Sequence, residues 1–444
     1  MTRHFSHVIA TGVFWLGMYL ALVLAPLFVL LIGPTPPGLG FLWDLSMALG
    51  FAGLGMMGVQ FVLTARFRHA TTPFGIDIIY YFHRYVGIVL LVVVLAHPIL
   101  VIVDNPATIA FLNPFGAPWH MIAGTVSLLA LIAVVVASVW RKALGLAYEP
   151  WRWTHTALSV AAVVFALVHI EGVQYYVASP WKRLLWRVFA LTWIAVVCHV
   201  RLIRPYLLRR RPYRVVSIAQ ERGDAWTLAL EPRGHEGISF QPGQFAWLTL
   251  GGSPLLMTEH PFSFSSSPTL PGGRLEFTIK ELGDFTRTIG RVPLDAVGFV
   301  DGPYGTFTIE RHPAPGYVFI AGGIGIAPIM SILRSLADRG DRRPLLLVYA
   351  YRRWERMTFR DAIEELRARL NLTVVFVLEE PPPEWSGERG WITREVLDRH
   401  LPEDRRLRHV FVCGPEAMTQ AIERQLRGLG LPLSHVHSEL FELV

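Results

Sequence analysis

Residues 78–104 read IIYYFHRYVGIVLLVVVLAHPILVIVD, and residues 152–177 read RWTHTALSVAAVVFALVHIEGVQYYV. Each stretch is apolar and long enough to cross a lipid bilayer as a helix. His83 and His97 lie fourteen residues apart in the first stretch, and His155 and His169 repeat that spacing in the second. Because an α-helix turns about 100° and rises about 1.5 Å per residue, fourteen steps return to nearly the same face about 21 Å further along. The two stretches therefore predict two membrane helices that carry histidines at two matching depths.

Four more apolar runs accompany these two. The six predicted spans cover residues from about 10–33, 43–65, 78–104, 118–139, 152–177 and 183–205. Basic residues gather at alternate ends of the spans, which places both ends of the chain in the cytoplasm by the positive-inside rule. In that orientation the third and fifth spans run in the same direction. His83 and His155 then lie at the inner level of the bilayer, and His97 and His169 lie at the outer level.

The four histidines are candidate metal ligands. Imidazole is a good axial ligand for haem iron, and a polar side chain inside a span is costly enough to indicate a function. Pairing across the two helices predicts an inner haem on His83 and His155 and an outer haem on His97 and His169. The sequence has no CxxCH motif, so both would be b-type haems held without covalent bonds. Any one of these histidines is explained equally well by contacts with neighbouring helices, but four at one spacing favour the ligand interpretation. His120 has no partner at this spacing and is expected at the membrane interface.

The composition of the 444 residues is that of a membrane protein joined to a soluble one. Hydrophobic residues make up 52% of the chain, and the mean hydropathy is +0.40. Charged residues reach an ordinary globular density only from Arg209 onward. The net charge of +7 is explained by basic residues at the edges of spans, and nucleic-acid binding is not expected. Cys198 and Cys413 imply no disulfide framework, and the first apolar run is expected to be a retained span. The predicted domains are 1–207, 208–312 and 313–444.

From Tyr213 the pattern changes to short alternating strands separated by turn residues, which predicts an antiparallel β-barrel. Residues 260–266 read HPFSFSS, and small hydroxyl residues of this kind allow a flat ring and a pyrophosphate to approach closely. Residues 280–286 read KELGDFT, where a glycine turn frees backbone N–H groups to face phosphate oxygens and Thr286 adds a donor. On its own, a plain hairpin explains this second motif equally well.

The last part of the chain opens with the apolar strand 317–321, the loop GGIGIAP at 322–328 and a helical stretch. Strand, glycine loop and helix begin a dinucleotide-binding α/β fold, in which the helix N-terminus offers N–H groups to a pyrophosphate. The next strand ends at Arg352 and Arg353. An acid there would read a ribose 2′-hydroxyl, whereas arginine suits a phosphate dianion. The two arginines therefore favour NADPH over NADH, with a solvated strand end as the alternative.

The motif HPFSxSS resembles the flavin-binding stretch of the ferredoxin–NADP reductase superfamily, and more narrowly that of the NADPH oxidase and ferric reductase family. GGIGIAP after Ala321 is similar to the superfamily's AGGxGxxP, and CGPEAM at 413–418 is similar to its CGPxxM. The histidine pairs narrow the resemblance to transmembrane haem-containing reductases of the prokaryotic NADPH oxidase-like kind. The implied fold is a six-helix transmembrane haem-binding bundle followed by an antiparallel β-barrel FAD domain and a Rossmann-like α/β NADPH domain.

The resemblance also implies roles for single residues. Cys413 would pack near the nicotinamide without acting as a nucleophile, and Glu439 would lie near the flavin. Phe441 would cover the flavin ring and move aside when nicotinamide stacks there. The residues expected to bind FAD are His260, Pro261, Phe262, Ser263, Ser265, Lys280, Gly283 and Thr286. Those expected to bind NADPH are Gly322, Gly323, Gly325, Pro328, Arg352, Arg353, Cys413, Gly414 and Pro415.

The expected activity is electron transfer from cytosolic NADPH through FAD and two b-type haems to an acceptor on the outer side of a bacterial inner membrane. Molecular oxygen, giving superoxide, is the first choice of acceptor, and a ferric chelate is the second. Val101 stands where oxidase members of the family tend to have a polar residue, while the short outer loops carry few groups that would bind a metal chelate. Two alternatives stay open: a haem relay to a partner protein or quinone, and a soluble-type flavin reductase merely anchored by six spans.

Overall fold

The computed structural model describes residues 2–33, 36–67 and 75–440. These residues fall into two compact units. The first contains residues up to 67 and 78–204, and the second contains 205–440 together with 75–77. This division separates the apolar half of the chain from the half with an ordinary density of charged residues.

In the part of the chain that the structure describes, the first unit contains six long helices. They are α1 (Thr2–Leu31), α2 (Phe41–Thr64), α3 (Ile76–Asp104), α4 (Trp119–Val139), α5 (Tyr148–Val173) and α6 (Pro180–Cys198). A π-helical turn at His199–Ile203 joins α6 to the short helix α7 (Arg204–Arg209). Six helical segments among the described residues are long and apolar enough to cross a membrane. The prediction of a multi-pass membrane domain is therefore confirmed.

Single residues explain two of the differences between the helix ends and the predicted spans. α5 ends at Val173 because Gln174 adopts a left-handed backbone, with φ of 57°, and donates its N–H to the carbonyl of Ile170. Such a residue satisfies a carbonyl of the last turn and stops the helix. α6 begins at Pro180, earlier than predicted, because proline is favoured in the first turn, where its missing N–H costs nothing.

Glycines bring α2 close to two of its neighbours. A Cβ atom built on Gly55 would lie 2.5 Å from the carbonyl oxygen of Val23 on α1, and one on Gly58 would overlap the ring of Trp193 on α6. Small residues allow helices to approach closely within a membrane, where packing supplies much of their association. Glycine at these two positions therefore allows α2 to fit between α1 and α6.

The second unit begins with an antiparallel sheet of six strands among the described residues. They are β1 (Tyr213–Glu221), β2 (Ala225–Pro232), β3 (Phe245–Leu250), β4 (His260–Ser263), β5 (Leu275–Lys280) and β6 (Val297–Tyr304). Their order across the sheet is β4-β3-β6-β1-β2-β5. An antiparallel bridge between Phe264 and Phe277 joins the two outer strands, so the sheet closes around a core that contains both phenylalanines. The predicted barrel is confirmed.

A parallel sheet follows in the same unit. Its strands are β7 (Tyr317–Gly322), β8 (Leu345–Tyr351), β9 (Leu372–Leu378), β10 (Glu388–Arg389), β11 (His409–Gly414) and β12 (Val436–Leu440), in the order β10-β9-β8-β7-β11-β12. The helices of this part are α8 (Ile326–Asp338), α9 (Arg360–Arg369), α10 (Arg394–His400) and α11 (Glu416–Gly428). Central strands such as LLLVYAY are apolar on both faces, as is typical of a covered parallel sheet. The predicted α/β domain is confirmed, and its glycine loop lies at the carboxyl edge of the sheet.

Candidate functional site

The four histidines of the first unit meet as two pairs across α3 and α5. The ring centres of His83 and His155 lie 6.3 Å apart, and those of His97 and His169 lie 6.4 Å apart. A metal ion midway between such rings would lie about 3.2 Å from each centre. That matches a nitrogen bonded to the metal at about 2.0 Å and lying about 1.1 Å from its own ring centre. Both spacings therefore leave room for a metal ion between two imidazoles.

Oxygen atoms of neighbouring helices orient the outer pair. Nδ1 of His97 lies 2.9 Å from the carbonyl oxygen of Ser46 on α2, and the Ser46 hydroxyl donates to the carbonyl of His97 at 2.8 Å. Nδ1 of His169 lies 2.8 Å from the carbonyl oxygen of His120 on α4. A carbonyl oxygen only accepts hydrogen bonds, so Nδ1 of each ring carries the proton. The Nε2 atom of each ring then keeps its lone pair for a metal.

The inner pair is oriented by two side chains. Nδ1 of His83 lies 2.9 Å from Oε1 of Gln60, whose amide nitrogen donates to the carbonyl of His83 at 3.2 Å. Nδ1 of His155 lies 3.0 Å from the hydroxyl of Ser138, which donates its own proton to the carbonyl of Val134 at 2.6 Å. These contacts again leave the proton on Nδ1, and no Nε2 atom of the four rings is hydrogen-bonded to any residue that the structure describes. Metal-bound histidines commonly show this arrangement, in which the second ring nitrogen donates to an oxygen.

Two glycines leave room for the rings of the outer pair. A Cβ atom on Gly50 would lie 3.2 Å from Nδ1 of His97, and one on Gly124 would lie 2.9 Å from Nδ1 of His169. Any side chain at Gly124 would push the imidazole out of its present position. Sequence reasoning missed Ser46, Gln60 and Ser138 as partners of the histidines. The available signal was a polar residue inside an apolar span.

In the barrel, the HPFSFSS motif forms β4 and the residues after it. The His260 ring stacks on the Phe285 ring with centres 4.1 Å apart. The centre of the Phe262 ring lies 6.1 Å from that of Phe285. The hydroxyl of Ser263 is buried and has no hydrogen-bond partner among the described residues. A buried hydroxyl without a partner is costly, so this atom is suited to a polar group of a ligand. Pro261 pairs with Trp247 on β3.

The hydroxyl groups that follow Ser263 are engaged within the protein. Ser265 accepts a hydrogen bond from Thr278 at 2.8 Å, and its carbonyl accepts from Arg334 of α8 at 2.8 Å. Ser331 of α8 donates to the carbonyl of Ser266 at 2.7 Å. These bonds fasten the barrel motif to the first helix of the α/β domain.

The KELGDFT motif forms a compact exposed turn. The hydroxyl of Thr286 accepts from the backbone N–H groups of Leu282 and Gly283, both at 2.8 Å. The Thr286 hydroxyl in turn donates to the Gly283 carbonyl at 3.1 Å, so these N–H groups and this hydroxyl bond to one another instead of being free to face a phosphate. No atom lies within 4 Å of a Cβ built on Gly283, which leaves space beside the turn. The Lys280 ammonium group lies 5.5 Å from the ring centre of Tyr351 in the α/β domain.

The glycine loop is packed tightly against β11. A Cβ atom on Gly322 would overlap the Met418 side chain, one on Gly325 would overlap the Cys413 carbonyl, and one on Gly414 would overlap Met418. Gly323 has φ of 55°, which glycine adopts readily. Pro328 lies in the first turn of α8, where proline is tolerated, and Pro415 directly precedes α11. The loop therefore leads straight into a helix N-terminus at the carboxyl edge of the sheet.

Cys413 and Glu439 are neighbours on paired strands at that edge. They are aligned in the β11–β12 ladder, and the Cys413 sulfur lies 3.9 Å from the Glu439 carbonyl oxygen. Burial, helped by the Glu439 carboxylate, raises the pKa of the Cys413 thiol well above its usual value. A carboxylate oxygen of Glu439 lies 2.9 Å from where a Cβ on Gly305 would be. The thiol therefore stays protonated, and the acid faces the turn that follows β6. Phe441 lies outside the described residues.

Arg352 and Arg353 share one carboxylate that the sequence did not reveal. Arg352 lies 2.6 Å from one oxygen of Glu380 and Arg353 lies 2.6 Å from the other. The two arginines lower the pKa of Glu380. The residues at the end of β8 include no acid in the sequence itself. In the structure, the register of β8 and β9 brings Glu380 there, since its N–H donates to the Arg352 carbonyl at 2.8 Å.

Three family models match separate parts of the chain. Residues 49–166 match the ferric reductase like transmembrane component, residues 224–308 match the FAD-binding domain, and residues 319–424 match the oxidoreductase NAD-binding domain. These matches support the FAD and NAD(P)H cofactors, an oxidoreductase activity and a membrane-spanning domain.

Several known proteins resemble the second half of the chain. A ferredoxin–NADP reductase B of Sorangium cellulosum is 30% identical over 254 residues, which are 53% of this chain and 100% of that protein. The stachydrine N-demethylase reductase subunit of Rhizobium meliloti is 32% identical over 240 residues, 52% of this chain and 66% of that protein. This chain thus spans just under two thirds of that relative. Among solved structures, the ferredoxin reductase in carbazole 1,9a-dioxygenase gives a TM-score of 0.46 at 26% identity, covering 52% of this chain and 69% of that one.

Proposed function

This chain belongs to the family in which a ferric reductase-like transmembrane component is followed by FAD-binding and NAD-binding domains of the ferredoxin–NADP reductase type, and we propose that it is an NADPH oxidase with two b-type haems. It is an oxidoreductase that uses NAD(P)H to drive electron transfer. The observation that carries the proposal is the pair of facing imidazole rings at two levels, each ring with its Nδ1 proton already donated to an oxygen.

Four histidines hold the haems in this proposal: His83 and His155 one, His97 and His169 the other. Bound haem supplies one-electron transfer, and bound flavin supplies the exchange between a two-electron donor and single electrons. The protein's part is to fix each ring. Gln60, Ser46, Ser138 and His120 keep the imidazoles in one tautomer and one orientation.

The barrel and the α/β domain supply the flavin and nucleotide sites. Ser263 offers its buried hydroxyl to the flavin, and the empty space beside Gly283 accommodates the pyrophosphate. The N-terminus of α8, which follows Gly322, Gly323 and Gly325, binds the pyrophosphate of NADPH. Cys413 packs beside the nicotinamide as a neutral thiol, because its raised pKa removes it as a nucleophile.

Arg352 and Arg353 bind the 2′-phosphate in this proposal. Two guanidinium groups share the one carboxylate of Glu380, and arginine suits a phosphate dianion. Both arginines are well exposed, with 68% and 54% of their side-chain surface accessible. They can therefore reorient toward a nucleotide.

Molecular oxygen is the proposed acceptor, giving superoxide. The loop from residue 105 to 118, which lies on the outer side in the predicted orientation, contains no histidine, cysteine or acidic residue. Such a loop offers no ligands for a ferric chelate. The basic residues at the opposite ends of the spans support an orientation with the flavin and nucleotide domains in the cytoplasm of a bacterium, attached to its inner membrane.

A relay to a partner protein is the second candidate. It is favoured by the names of relatives such as the stachydrine N-demethylase reductase subunit and the glycine betaine monooxygenase reductase subunit. Each of those names describes the reductase subunit of another enzyme, a demethylase in one case and a monooxygenase in the other. In that case the outer haem would pass electrons to another protein instead of to oxygen.

The deciding experiment uses the full chain purified in detergent. A pyridine haemochrome assay gives the haem content, and oxygen and NADPH consumption are then followed without additions. The proposal expects two b-type haems per chain, oxygen uptake driven by NADPH, and cytochrome c reduction that superoxide dismutase blocks. Activity only after a ferric chelate is added would indicate a metal reductase. Reduction of the haems by NADPH without continued consumption of NADPH or oxygen would indicate a relay. The absence of haem would overturn the proposal.

A further inference from the structure

Four histidines gather at the amino-terminal edge of the parallel sheet, at the end of its strands away from the glycine loop. His409 is the first residue of β11, His437 is the second residue of β12, and His435 directly precedes that strand. His312 follows a short 3-10 turn at Ile309–Arg311, after the barrel. These residues, called the His312 cluster below, take no part in the proposed electron-transfer path.

The rings of this cluster are packed face to face. The centres of His312 and His437 lie 3.7 Å apart, and those of His409 and His435 lie 4.4 Å apart. Nδ1 of His409 and Nε2 of His437 are hydrogen-bonded at 2.7 Å. Since Tyr317 donates its hydroxyl to the carbonyl of His312 at 3.0 Å, the loop that carries His312 is also fixed in place.

The strand register explains how residues from three segments come together. Phe411 pairs with His437 in the β11–β12 ladder, and side chains two residues apart share a face of a strand. His409 therefore lies on the same face of the sheet as Phe411 and its partner His437, and His435 stacks on His409. The chain returns to this edge after the barrel, which adds His312.

We propose that the His312 cluster binds a divalent transition-metal ion of the zinc class. One ligand nitrogen from each of His312, His409 and His437 lies within 4.8 Å of the others. A tetrahedral zinc ion with bonds of about 2.0–2.1 Å holds its ligand nitrogens about 3.4 Å apart. The observed separations, which reach down to 2.7 Å, bracket that value. To hold the ion, the rings turn out of their stacked arrangement and the metal replaces the hydrogen bond between His409 and His437.

The donor set defines the class of metal. Imidazole nitrogens suit zinc, copper and nickel, whereas magnesium and calcium prefer oxygen. The cluster offers nitrogen only. His435 stacks on His409 outside this group of three nitrogens, and its Nδ1 atom is buried without a hydrogen-bond partner among the described residues. A metal held here joins the segment after the barrel to β11 and β12, which is the role of a structural site.

The test uses the full chain, purified without a polyhistidine tag and stripped with a chelator. Zn²⁺ is titrated against a competing zinc indicator, with Mg²⁺ as a negative control, and bound zinc is counted by mass spectrometry separately from iron. We expect each chain to bind one equivalent of Zn²⁺ tightly and to have a higher melting temperature with zinc than without it. His437→Gln and His312→Gln should each weaken binding by more than the roughly 10–100-fold that loss of an outer partner costs.

His400→Gln serves as the matched control. His400 lies on α10 and bonds to Glu388 at 2.7 Å, so this variant also loses one half-buried imidazole but should bind zinc normally. Flavin absorbance shows that each variant is folded, and His312→Gln removes a loop residue in case a strand variant fails to fold. Binding of Zn²⁺ that is weak, above one equivalent, or equal in the His437, His312 and His400 variants would overturn the proposal. So would tight binding of Mg²⁺.

Discussion

The carbonyl oxygen of His120 lies 2.8 Å from Nδ1 of His169. This one contact involves the backbone of His120, so its side chain is dispensable for orienting the ring. The same helix, α4, also carries Gly124 beneath the imidazole. α4 thus positions His169 in two ways: the His120 carbonyl accepts its proton, and the glycine at position 124 leaves space for its ring. Each feature can be tested with its own variant.

The first prediction concerns the ligand itself. His169→Leu should reduce the haem content from two per chain to one and abolish oxygen reduction, because an axial ligand of the outer pair is lost. Reduction of the flavin by NADPH should be unchanged. Haem content is measured by pyridine haemochrome and flavin reduction by stopped-flow absorbance. His120→Ala is the control and should retain both haems; loss of flavin together with both haems in His169→Leu would contradict the proposed pairing.

A second prediction uses the space at Gly124. Gly124→Val should displace the His169 ring, because a Cβ there would lie 2.9 Å from Nδ1, and the outer haem should be lost while the inner one stays. Gly17→Val on α1 makes the same change where no atom lies within 4 Å of the Cβ, and should leave the haem content at two. Equal haem content in the two variants would show that the ring does not depend on this space.

Gln60 allows a test at the inner level. Gln60→Leu removes the acceptor of the His83 Nδ1 proton and should weaken retention of one haem by about 10–100-fold, as expected for an outer partner of a metal ligand. Gln60→Glu retains an oxygen acceptor and should hold its haem much better. Transfer of haem to excess apomyoglobin measures retention. If both variants release haem at the wild-type rate, the contact with Gln60 has no part in holding it.

Nucleotide preference can be tested at the end of β8. Arg352→Ala should raise the KM for NADPH by about 10-fold or more, the size expected for a lost charge-assisted hydrogen bond, with little change for NADH. Glu380→Gln should have the opposite effect, because it releases both arginines from a competing carboxylate. Steady-state kinetics with both nucleotides measure the two effects. An equal rise in KM for NADPH and NADH in Arg352→Ala would remove the arginine from the 2′-phosphate site.

Cys413 gives a prediction about pH. Burial raises its pKa, so the thiol stays protonated at pH values where an exposed cysteine, with a pKa of about 8.5, is partly a reactive thiolate. Iodoacetamide at pH 8 should therefore leave Cys413 unlabelled in the folded protein and label it in denaturant. Peptide mass spectrometry distinguishes it from Cys198. Rapid labelling of Cys413 in the native protein would mean that the thiol is accessible and ionised.

Much of the architecture could be predicted because it depends on patterns that repeat along the chain. Long apolar runs gave the six spans, alternating short strands gave the barrel, and a strand followed by a glycine loop gave the α/β domain. The exact ends of helices depended on single residues, such as Gln174 and Pro180, whose local effects are weaker than the apolar pattern around them. The fourteen-residue spacing was informative because a helix is regular, so that His83 and His97 lie on nearly the same face.

The partners of the candidate site residues were harder to predict. Ser138 and Gln60 lie on other helices than the histidines they contact, and their position depends on how each helix is rotated. Glu380 is separated from Arg352 by a whole helix, and only the pairing of β8 with β9 brings them together. Contacts of this kind are set by tertiary packing, so they leave no regular spacing in the sequence.

The oxygen atoms around the four imidazoles also bear on how the bundle is assembled. In each ring the Nδ1 proton is already hydrogen-bonded to an oxygen atom, and Nε2 keeps its lone pair for a metal. In the proposed di-haem protein, loading of iron porphyrin into the folded helices should therefore release no protons from these rings and require no change of tautomer. A cysteine site behaves differently, because each thiol must lose its proton to bind a metal and metal uptake therefore depends on pH.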